Sequence, residues 1–459
     1  MMSLIQQGAF NLKNCLMRPI AQKLYRSVKK EALLSDEERQ ALAFERARTL
    51  VKTAFDNCDF YREKYRQAGL DDGMIQSMSD FSRLPPLEKQ DIRNYRQEMC
   101  NRTVRKKYFK ATTTGGSTGE PVTVYHDGRV PVDAIGWFAV KNFGGDISDN
   151  AAFCLRHNPH QAHPFFNRLL WFPTERCFMD ITLITEEKWW YFYRQCQKKS
   201  VRYLQGYVGA IHEFACFLQK NGLVLPSLRF VWTTSAPLSD SSRFFMEQVF
   251  GVPVYDQYGC CEIFWLAYEC KLQSGLHYCD TLRYFEVCDA NNNLLSDGNE
   301  GELLITDLLN HAFPLIRYRN GDRVQKLSGT CDCGCRFPRI ASVKGRITDV
   351  IRLPNGNCIP GDFLTTIFDD YPDAVNGFQV LQRKDFSLVV RYVPAGTHSS
   401  AIVASVCKKL AARLVGSPIE IFSEVVSEIP HDRGKTRFIV SELADANKVY
   451  NFENTSENI

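Results

Sequence analysis

The sequence predicts an α/β fold that is followed by a smaller α+β unit. Three observations support this prediction. Up to about Gly345, short apolar segments typical of buried strands alternate with helical patterns, as in a sheet with helices on its faces. Beyond Gly345 the pattern changes to a pair of strands, a helix and another strand. The length of 459 residues also exceeds what one ordinary core accommodates.

The composition excludes several classes of protein. Hydrophobic residues make up 44% and charged residues 24% of the chain, as in soluble globular proteins. The net charge of +4 comes without a long basic run, so nucleic acid is not an expected partner. No apolar stretch is long enough to span a membrane, and the N-terminus has the wrong charge order for a secretory signal. Because 17 cysteines occur without such a signal, we expect reduced thiols and a cytoplasmic protein.

The first 100 residues are predicted to be a helical lead-in that belongs to a large domain of residues 1–345. In "SDEERQALAFERARTLVKTAF", either Ser35 or Asp36 can cap the start of a helix. "LPPLEKQDIRNY" predicts a turn and a short helix, and "RKKYFKATTT" predicts a strand that runs into a glycine-rich loop.

Strands and helices alternate behind that loop. "PVTVYHD", "LRFVWTTSAP" and "VPVYDQYG" read as strands, and "YVGAIHEFACFLQKNG" reads as a helix that ends at Gly222. In an α/β domain of this kind the functional site is expected at the ends of the strands. The aromatic segment "KWWYFYRQCQKK" is interpreted as a half-buried amphipathic helix.

Residues 346–459 are predicted to form a separate small domain. "FQVLQRKDFSLVVRYVP" reads as two strands around Lys384 and Asp385, "SSAIVASVCKKLAARLVG" as a helix and "IEIFSEVV" as a further strand. A unit of this size is large enough to have its own core.

The loop "TTTGGSTGEP" has the residues that phosphate binding needs. Its glycines let the backbone approach an anion, and its Ser and Thr residues supply donors. The Lys of the nucleotide-binding P-loop is absent, because Glu120 and Pro121 follow Gly119. By itself the loop is therefore either a phosphate site or an ordinary turn.

Four further segments follow in a fixed order: "TTSAPL", "YGCCE", "YRNGD" with "GRITD" behind it, and "PHDRGK". With them, the chain resembles the adenylate-forming enzymes, and among these the phenylacetate–CoA ligase-like branch that includes capsule-biosynthesis proteins. The resemblance extends from about Leu84 to Arg437. It implies a large adenylation domain with several sheets and a small mobile C-terminal domain.

The resemblance implies a role for each segment. The glycine loop would wrap the β- and γ-phosphates of ATP, Glu262 would hold Mg²⁺, and Tyr258 would flank the adenine or the acyl group. Asp322 would accept hydrogen bonds from the ribose hydroxyls, with Arg346 in support. The residues implied in ATP or AMP binding are Thr113, Thr114, Gly115, Gly116, Ser117, Thr118, Gly119, Ser235, Ala236, Pro237, Tyr258, Gly259, Asp322 and Arg346.

Lys435 matches the mobile lysine of these enzymes, which would stabilise negative charge during adenylation. The small domain would then rotate for the second half-reaction about a hinge at Thr348 and Asp349. Here the chain departs from the family, in which two acidic residues usually occupy the hinge, because Thr348 stands in the first of those places.

The reaction implied is the activation of a small carboxylic acid by ATP as acyl-AMP, followed by acyl transfer. The ligase resemblance implies CoA as the acceptor, whereas the capsule-protein resemblance implies an amine or a carrier. Tyr207 and Trp265, with Tyr258, are candidates for the acyl pocket. A zinc-stabilised binding protein without turnover is the rival interpretation, and the retained Glu262 and Lys435 argue against it.

The segment "CDCGC" indicates a metal site. Cys331 and Cys333, together with Cys270 and His277 upstream, would form a closed tetrahedral zinc set, and Cys335 is a spare thiol that could replace one of its neighbours. The phenylacetate–CoA ligase-like branch often carries a comparable Cys/His set at these places. Buried reduced thiols or a redox role are the alternatives.

Overall fold

A mixed sheet of eleven strands runs through the large part of the molecule. The computed structural model describes residues 4–113, 122–155, 164–181, 185–341, 374–413 and 419–429, with short pieces at 343, 350–352, 354, 358–360, 368, 371, 431–432, 435–436 and 439–443. The mixed α/β architecture that the sequence predicts is confirmed. Among the described helices, none is both long enough and apolar enough to cross a membrane.

Helices dominate the first 100 residues and then alternate with strands. Ser35 caps the third helix, since its hydroxyl accepts the Glu38 backbone N–H at 3.2 Å while the Glu38 carboxylate accepts the Ser35 N–H at 2.8 Å. The helices in the described ranges are α1 Leu4–Met17, α2 Pro19–Glu31, α3 Asp36–Asn57, α4 Asp59–Gln67, α5 Met78–Arg83, α6 Lys89–Tyr95, α7 Asp133–Asn142, α8 Pro164–Trp171, α9 Glu186–Lys198, α10 Val208–Lys220, α11 Asp240–Phe250 and α12 Ser399–Arg413.

The strands of the large sheet fall into a parallel half and an antiparallel half. The parallel half has the order β4, β3, β5, β6, β7, with β3 Ala151–Leu155, β4 Arg176–Asp180, β5 Tyr203–Tyr207, β6 Phe230–Thr234 and β7 Val254–Tyr258. The antiparallel half continues in the order β8, β9, β13, β12, β11, β10, with β8 Ala267–Glu269, β9 Leu276–His277, β10 Arg283–Cys288, β11 Glu300–Asp307, β12 Tyr318–Leu327 and β13 Arg339–Ile340.

The parallel strands are buried because helices cover them. β3 and β6 each bury four consecutive residues, which explains why their sequences are apolar runs rather than alternating patterns. The predicted helix over "YVGAIHEFACFLQKNG" is α10, and the aromatic segment is α9, where Trp189 is buried and Tyr191 is exposed. Both predictions are confirmed.

A separate hairpin precedes the sheet. It pairs β1 Phe109–Thr113 with β2 Thr123–Asp127 in antiparallel register, with Thr113 opposite Thr123. The glycine-rich loop connects these two strands, and its residues 114–121 lie outside the described part of the chain.

The C-terminal part contains its own sheet and apolar cluster. Its four strands have the order β18 Ile421–Val425, β17 Leu388–Pro394, β16 Val375–Gln382, β21 Ile439–Ser441, and α12 contributes Val403, Val406 and Leu410 to the cluster. The predicted strand pair, helix and strand are therefore present. The strands are β14 Val350–Arg352, β15 Cys358–Pro360, β16 Val375–Gln382, β17 Leu388–Pro394, β18 Ile421–Val425, β19 His431–Asp432, β20 Lys435–Thr436 and β21 Ile439–Ser441. The predicted boundary between residues 345 and 346 lies among residues that are not described and stays a prediction.

Candidate functional site

Three predicted site segments lie at the same edge of the sheet. β5, β6 and β7 are parallel neighbours, with Tyr207 opposite Thr234 and Thr234 opposite Gln257. Their carboxyl ends therefore carry Tyr207, the "TTSAPL" turn and Tyr258 to one edge, where α/β proteins bind ligands.

The "TTSAPL" turn holds a strained residue at this edge. Ser235 has a φ of +76°, in the left-handed region that a residue other than glycine rarely adopts. Such conformations cost on the order of 1–3 kcal/mol and concentrate where a backbone must present itself to a ligand. Ala236 and Pro237 follow it and are half-buried.

The hairpin that carries the glycine loop is fixed to the "YGCCE" segment. His126 on β2 hydrogen-bonds through Nε2 to the Cys261 carbonyl at 3.0 Å, and its ring stacks on Phe264 with 4.3 Å between centroids. Burial lowers the pKa of His126 below its ordinary value, so the ring is neutral at pH 7 and Nε2–H is the donor. His126 therefore links the base of the hairpin to the loop that bears Glu262.

Glu262 is a buried carboxylate without a described cationic partner. Its side chain has 4% exposure, and the Tyr318 hydroxyl donates to Oε1 at 2.9 Å. Over the parts of the chain that the structure describes, no Lys, Arg or His forms an ion pair with it. Buried charges are normally paired or coordinate metals, so the position fits a divalent cation.

Asp322 lies at a turn within β12 that needs glycine, since Gly321 has a φ of +89°. The Tyr258 hydroxyl donates to Asp322 Oδ2 at 2.5 Å, and Asn320 Nδ2 donates to the same oxygen at 2.6 Å. Tyr318, Asn320 and Asp322 are buried while the residues between them are more exposed, so β12 presents all three on one face. This face meets the "YGCCE" segment twice, at Glu262 and at Tyr258.

The acyl-pocket candidates differ in their surroundings. Trp265 has a φ of +60° and packs on Trp232, with 5.0 Å between the ring centroids. Its ring also covers Gly136, where an added Cβ would lie 2.8 Å from a ring carbon. Tyr207 is half-buried at the end of β5. The assignment of these residues to a pocket stays a prediction.

The four predicted zinc ligands come together where the β8–β9 turn meets the connection from β12 to β13. Their potential ligand atoms lie within 4.8 Å of one another. Cys270 Sγ is 3.7 Å from Cys331 Sγ, and Cys333 Sγ is 3.4 Å from His277 Nε2. Zn–S bonds of ~2.3 Å and Zn–N bonds of ~2.0 Å at tetrahedral angles require separations of about 3.8 and about 3.5 Å.

The imidazole of His277 has the form that a metal ligand needs. Its Nδ1–H donates to the Phe337 carbonyl at 2.8 Å, which leaves Nε2 to face the sulfur atoms. Burial lowers the pKa of His277 to about 4, so the ring is neutral at pH 7. Cys335, in contrast, is buried in the apolar cluster with Phe337 and is not among the four residues whose ligand atoms come together.

Sequence comparisons connect the chain with carboxylate-activating ligases. A phenylacetate–coenzyme A ligase of Escherichia coli is 26% identical over 340 residues, 71% of this chain and 75% of that protein. The Thermus thermophilus ligase of the same name is 24% identical over 372 residues, 77% and 80% of the two chains. The chain is therefore similar to adenylate-forming enzymes of the phenylacetate–CoA ligase-like branch, although no family model matches it.

Two further comparisons concern a second relative and the fold. Protein CapK of Staphylococcus aureus is 23% identical over 411 residues, 84% of this chain and 86% of CapK. The fold matches that of 2-hydroxyisobutyryl-CoA ligase in the postadenylation state with a TM-score of 0.73 at 16% identity, over 90% of this chain and 92% of that one.

Several predicted site residues of the enzyme lie outside the described residues. These are Thr114 to Gly119 of the glycine loop, Arg346, and the hinge residues Thr348 and Asp349. Lys435 lies in β20, where its backbone pairs with Asp432, and its side chain is not described. Thr113 ends β1 with its hydroxyl 2.9 Å from that of Thr123. Gly259 follows β7, where a Cβ would lie 2.8 Å from the Gln257 amide nitrogen.

Sequence reasoning missed three residues of this site. Tyr318 and Asn320 stand inside the quoted "YRNGD" segment, and a two-residue periodicity through Asp322 was the signal that could have found them. His126 carried no such signal, since only the packing of β2 against the loop behind β7 brings it to Cys261.

Proposed function

We propose that this protein activates a carboxylic acid with ATP, forms an acyl-AMP with release of pyrophosphate, and transfers the acyl group to CoA. The observation that carries the proposal is the double contact between β12 and the "YGCCE" segment, through Tyr318 to Glu262 and through Asp322 to Tyr258. This contact joins the proposed ribose acceptor to the proposed metal ligand at the carboxyl edge of the sheet.

In this proposal each part of the site has a defined task. The loop from Thr113 to Gly119 holds the phosphates of ATP, and the strained turn at Ser235 presents its backbone and the following Ala236 and Pro237 to the adenine. Asp322 binds the ribose hydroxyls, with Arg346 in support. Glu262 would hold Mg²⁺, which offsets the charge of the phosphate oxygens when it is bound.

Lys435 supplies the cation that the glycine loop lacks. It stands in the proposed mobile domain of residues 346–459, so a rotation at Thr348 and Asp349 would withdraw it after adenylation and admit the acceptor. Adenylation and acyl transfer would then take place one after the other at the site that binds the substrate acid.

Carboxylate-dependent exchange of pyrophosphate into ATP, measured across a library of acids, tests the adenylation step. We expect exchange with at least one acid, and a loss of roughly 100-fold or more in Lys435→Ala, as for other preorganised charges at a reacting centre. Lys384→Ala is the matched control, because Lys384 is an exposed lysine in the turn between β16 and β17. Exchange that survives in Lys435→Ala, or that no acid supports, would refute the proposal.

A second acceptor has its own support. The likeness to CapK covers more of the chain than the likeness to the ligases does. Because the sequence segments also resemble capsule-biosynthesis proteins, transfer to an amine or a carrier is the second candidate. The two acceptors are distinguished by steady-state AMP release with the active acid. Stimulation by CoA supports the ligase reaction, whereas stimulation by amino sugars or by a carrier protein supports the alternative.

We also propose that Cys270, His277, Cys331 and Cys333 hold a structural zinc ion. The proposal is supported by their separations, by the neutral imidazole and by the closed character of a set with four protein ligands. Such an ion would join β8 and β9 to the connection that follows β12. A cytoplasmic location, where thiols stay reduced, belongs to the same proposal.

A further inference from the structure

The polar atoms around Asp322 form a closed triangle. Tyr258 Oη, Asn320 Nδ2 and Asp322 Oδ2 lie 2.5 to 2.6 Å from one another. Burial in the first place, and the Asp322 carboxylate in the second, raise the pKa of Tyr258 well above its ordinary value, so its hydroxyl keeps its proton and donates. One carboxylate oxygen therefore receives two donors from two different strands.

Asn320 is itself held at both ends of its amide. Its Nδ2 donates to Asp322 Oδ2 and to Tyr258 Oη, while its Oδ1 accepts the Asp322 backbone N–H at 3.1 Å. Its side chain is also buried, with 4% exposure. A rotation of the Asn320 side chain would thus break contacts with both the backbone and the carboxylate of Asp322.

We infer that Asn320 is a positioning residue that, with Tyr258, fixes the orientation in which Asp322 receives the ribose of the nucleotide. The inference rests on the proposed function, in which Asp322 binds the ribose hydroxyls. A carboxylate has about four lone-pair positions, and two donors on Oδ2 set its plane before the nucleotide arrives. Preorganisation of this kind removes the cost of orienting the acceptor during binding.

The role assigned to Tyr258 changes with this inference. A residue whose hydroxyl is committed to Asp322 acts on the ribose acceptor, in addition to any contact of its ring with adenine or acyl group. Two residues of β12 therefore contact different carboxylates: Tyr318 contacts Glu262, and Asn320 contacts Asp322.

Calorimetric titration with ATP, 2′-deoxy-ATP and 3′-deoxy-ATP tests the inference without knowledge of the acid. In Asn320→Ala we expect the Kd for ATP to rise roughly 10-fold or more, because charge-assisted hydrogen bonds to the carboxylate are lost. The Kd for an analogue that lacks a hydroxyl bound by Asp322 should change much less. Asn320→Asp, of the same shape but without the donor and with added negative charge, should lose more than Asn320→Ala.

Two sets of controls separate the possible failures. Asn101→Ala removes another buried asparagine that is anchored at both ends, by the His311 carbonyl and the Thr103 N–H, and should leave the preference for ATP unchanged. Tyr258→Phe combined with Asn320→Ala should cost less than the sum of the two single changes, since both donors act on one oxygen.

The outcomes are distinct. An equal loss for ATP and for both deoxy analogues in Asn320→Ala would show a purely structural role and overturn the inference. If Asp322→Asn leaves the discrimination among the three nucleotides intact, the proposed ribose role fails as well. If Asp322→Asn abolishes the discrimination and Asn320→Ala does not, the inference alone fails. Should Asn320→Ala not fold, Asn320→Ser is measured in its place with the same criteria.

Discussion

Replacement of single cysteines gives a direct test of the metal cluster. Cys331→Ser removes one of four ligands, whereas Cys335→Ser removes a neighbouring thiol that lies only four residues away in the apolar cluster. The two variants make the same chemical change at nearly the same place in the sequence. Only the structure distinguishes them, so they form a matched pair.

The expected loss of zinc affinity follows from the number of ligands in the set. Structural zinc sites bind the metal with apparent free energies of ~10–16 kcal/mol, which amounts to roughly 3 kcal/mol for each of four ligands. Loss of one ligand therefore weakens binding by about 100-fold or more. The Cys270–Cys331 and Cys333–His277 separations already match those around a tetrahedral ion.

Metal analysis after mild purification is the assay, combined with guanidinium unfolding measured without and with an excess of a strong chelator. We expect about one zinc per chain in the wild type and in Cys335→Ser, and much less in Cys331→Ser. Chelation should lower the free energy of unfolding of the first two proteins, since an ion bound only to the folded state stabilises it. It should have little further effect on Cys331→Ser.

Two results would refute this reasoning. A wild type with less than about half an equivalent of zinc after mild purification would indicate plain thiols. Equal loss of metal from Cys335→Ser and Cys331→Ser would show that the ligand set differs from the one that the separations define.

Three further predictions concern stability and packing. Arg317→Met should lower the free energy of unfolding by about 3–5 kcal/mol in urea titrations, because it leaves Glu286, its buried partner at 2.9 Å, unpaired. The double variant Arg317→Met/Glu286→Leu should recover most of this loss, and additive losses from the two changes would contradict the prediction. The pKa of His126 is lower in the folded state than in the unfolded state, so its contribution to the free energy of unfolding is complete above the unfolded pKa near 6.5 and is lost as the pH falls towards the folded pKa. Between about pH 7.5 and 5.5, His126→Gln should therefore lose less stability than the wild type, and equal losses would exclude this contribution. Gly136→Ala should displace the Trp265 ring and cost roughly 1–3 kcal/mol, seen as a lower melting temperature with changed tryptophan fluorescence, whereas an unchanged spectrum would show that the ring is not held there.

Local patterns in the sequence were sufficient to predict most of the helices and strands. The capping residue before α3, the apolar run of β6 and the strand pair of β16 and β17 each depend on neighbours along the chain, so short-range rules identify them. The resemblance to adenylate-forming enzymes was likewise readable, because it rests on ordered short segments. Even the four metal ligands could be proposed from residue type and spacing.

Tertiary structure decided what the sequence left open. Cys333 and Cys335 are equivalent in "CDCGC", and only the approach of His277 to one of them separates a ligand atom from a buried thiol. Tyr258 and Asp322 are 64 positions apart, and their hydrogen bond exists because β12 and the end of β7 are brought together in the large sheet. The sequence by itself determined the elements and the kind of chemistry, since both follow from local patterns. The hydrogen-bond partners of each site residue required the fold, because those partners come from distant strands whose approach depends on the packing of the whole domain.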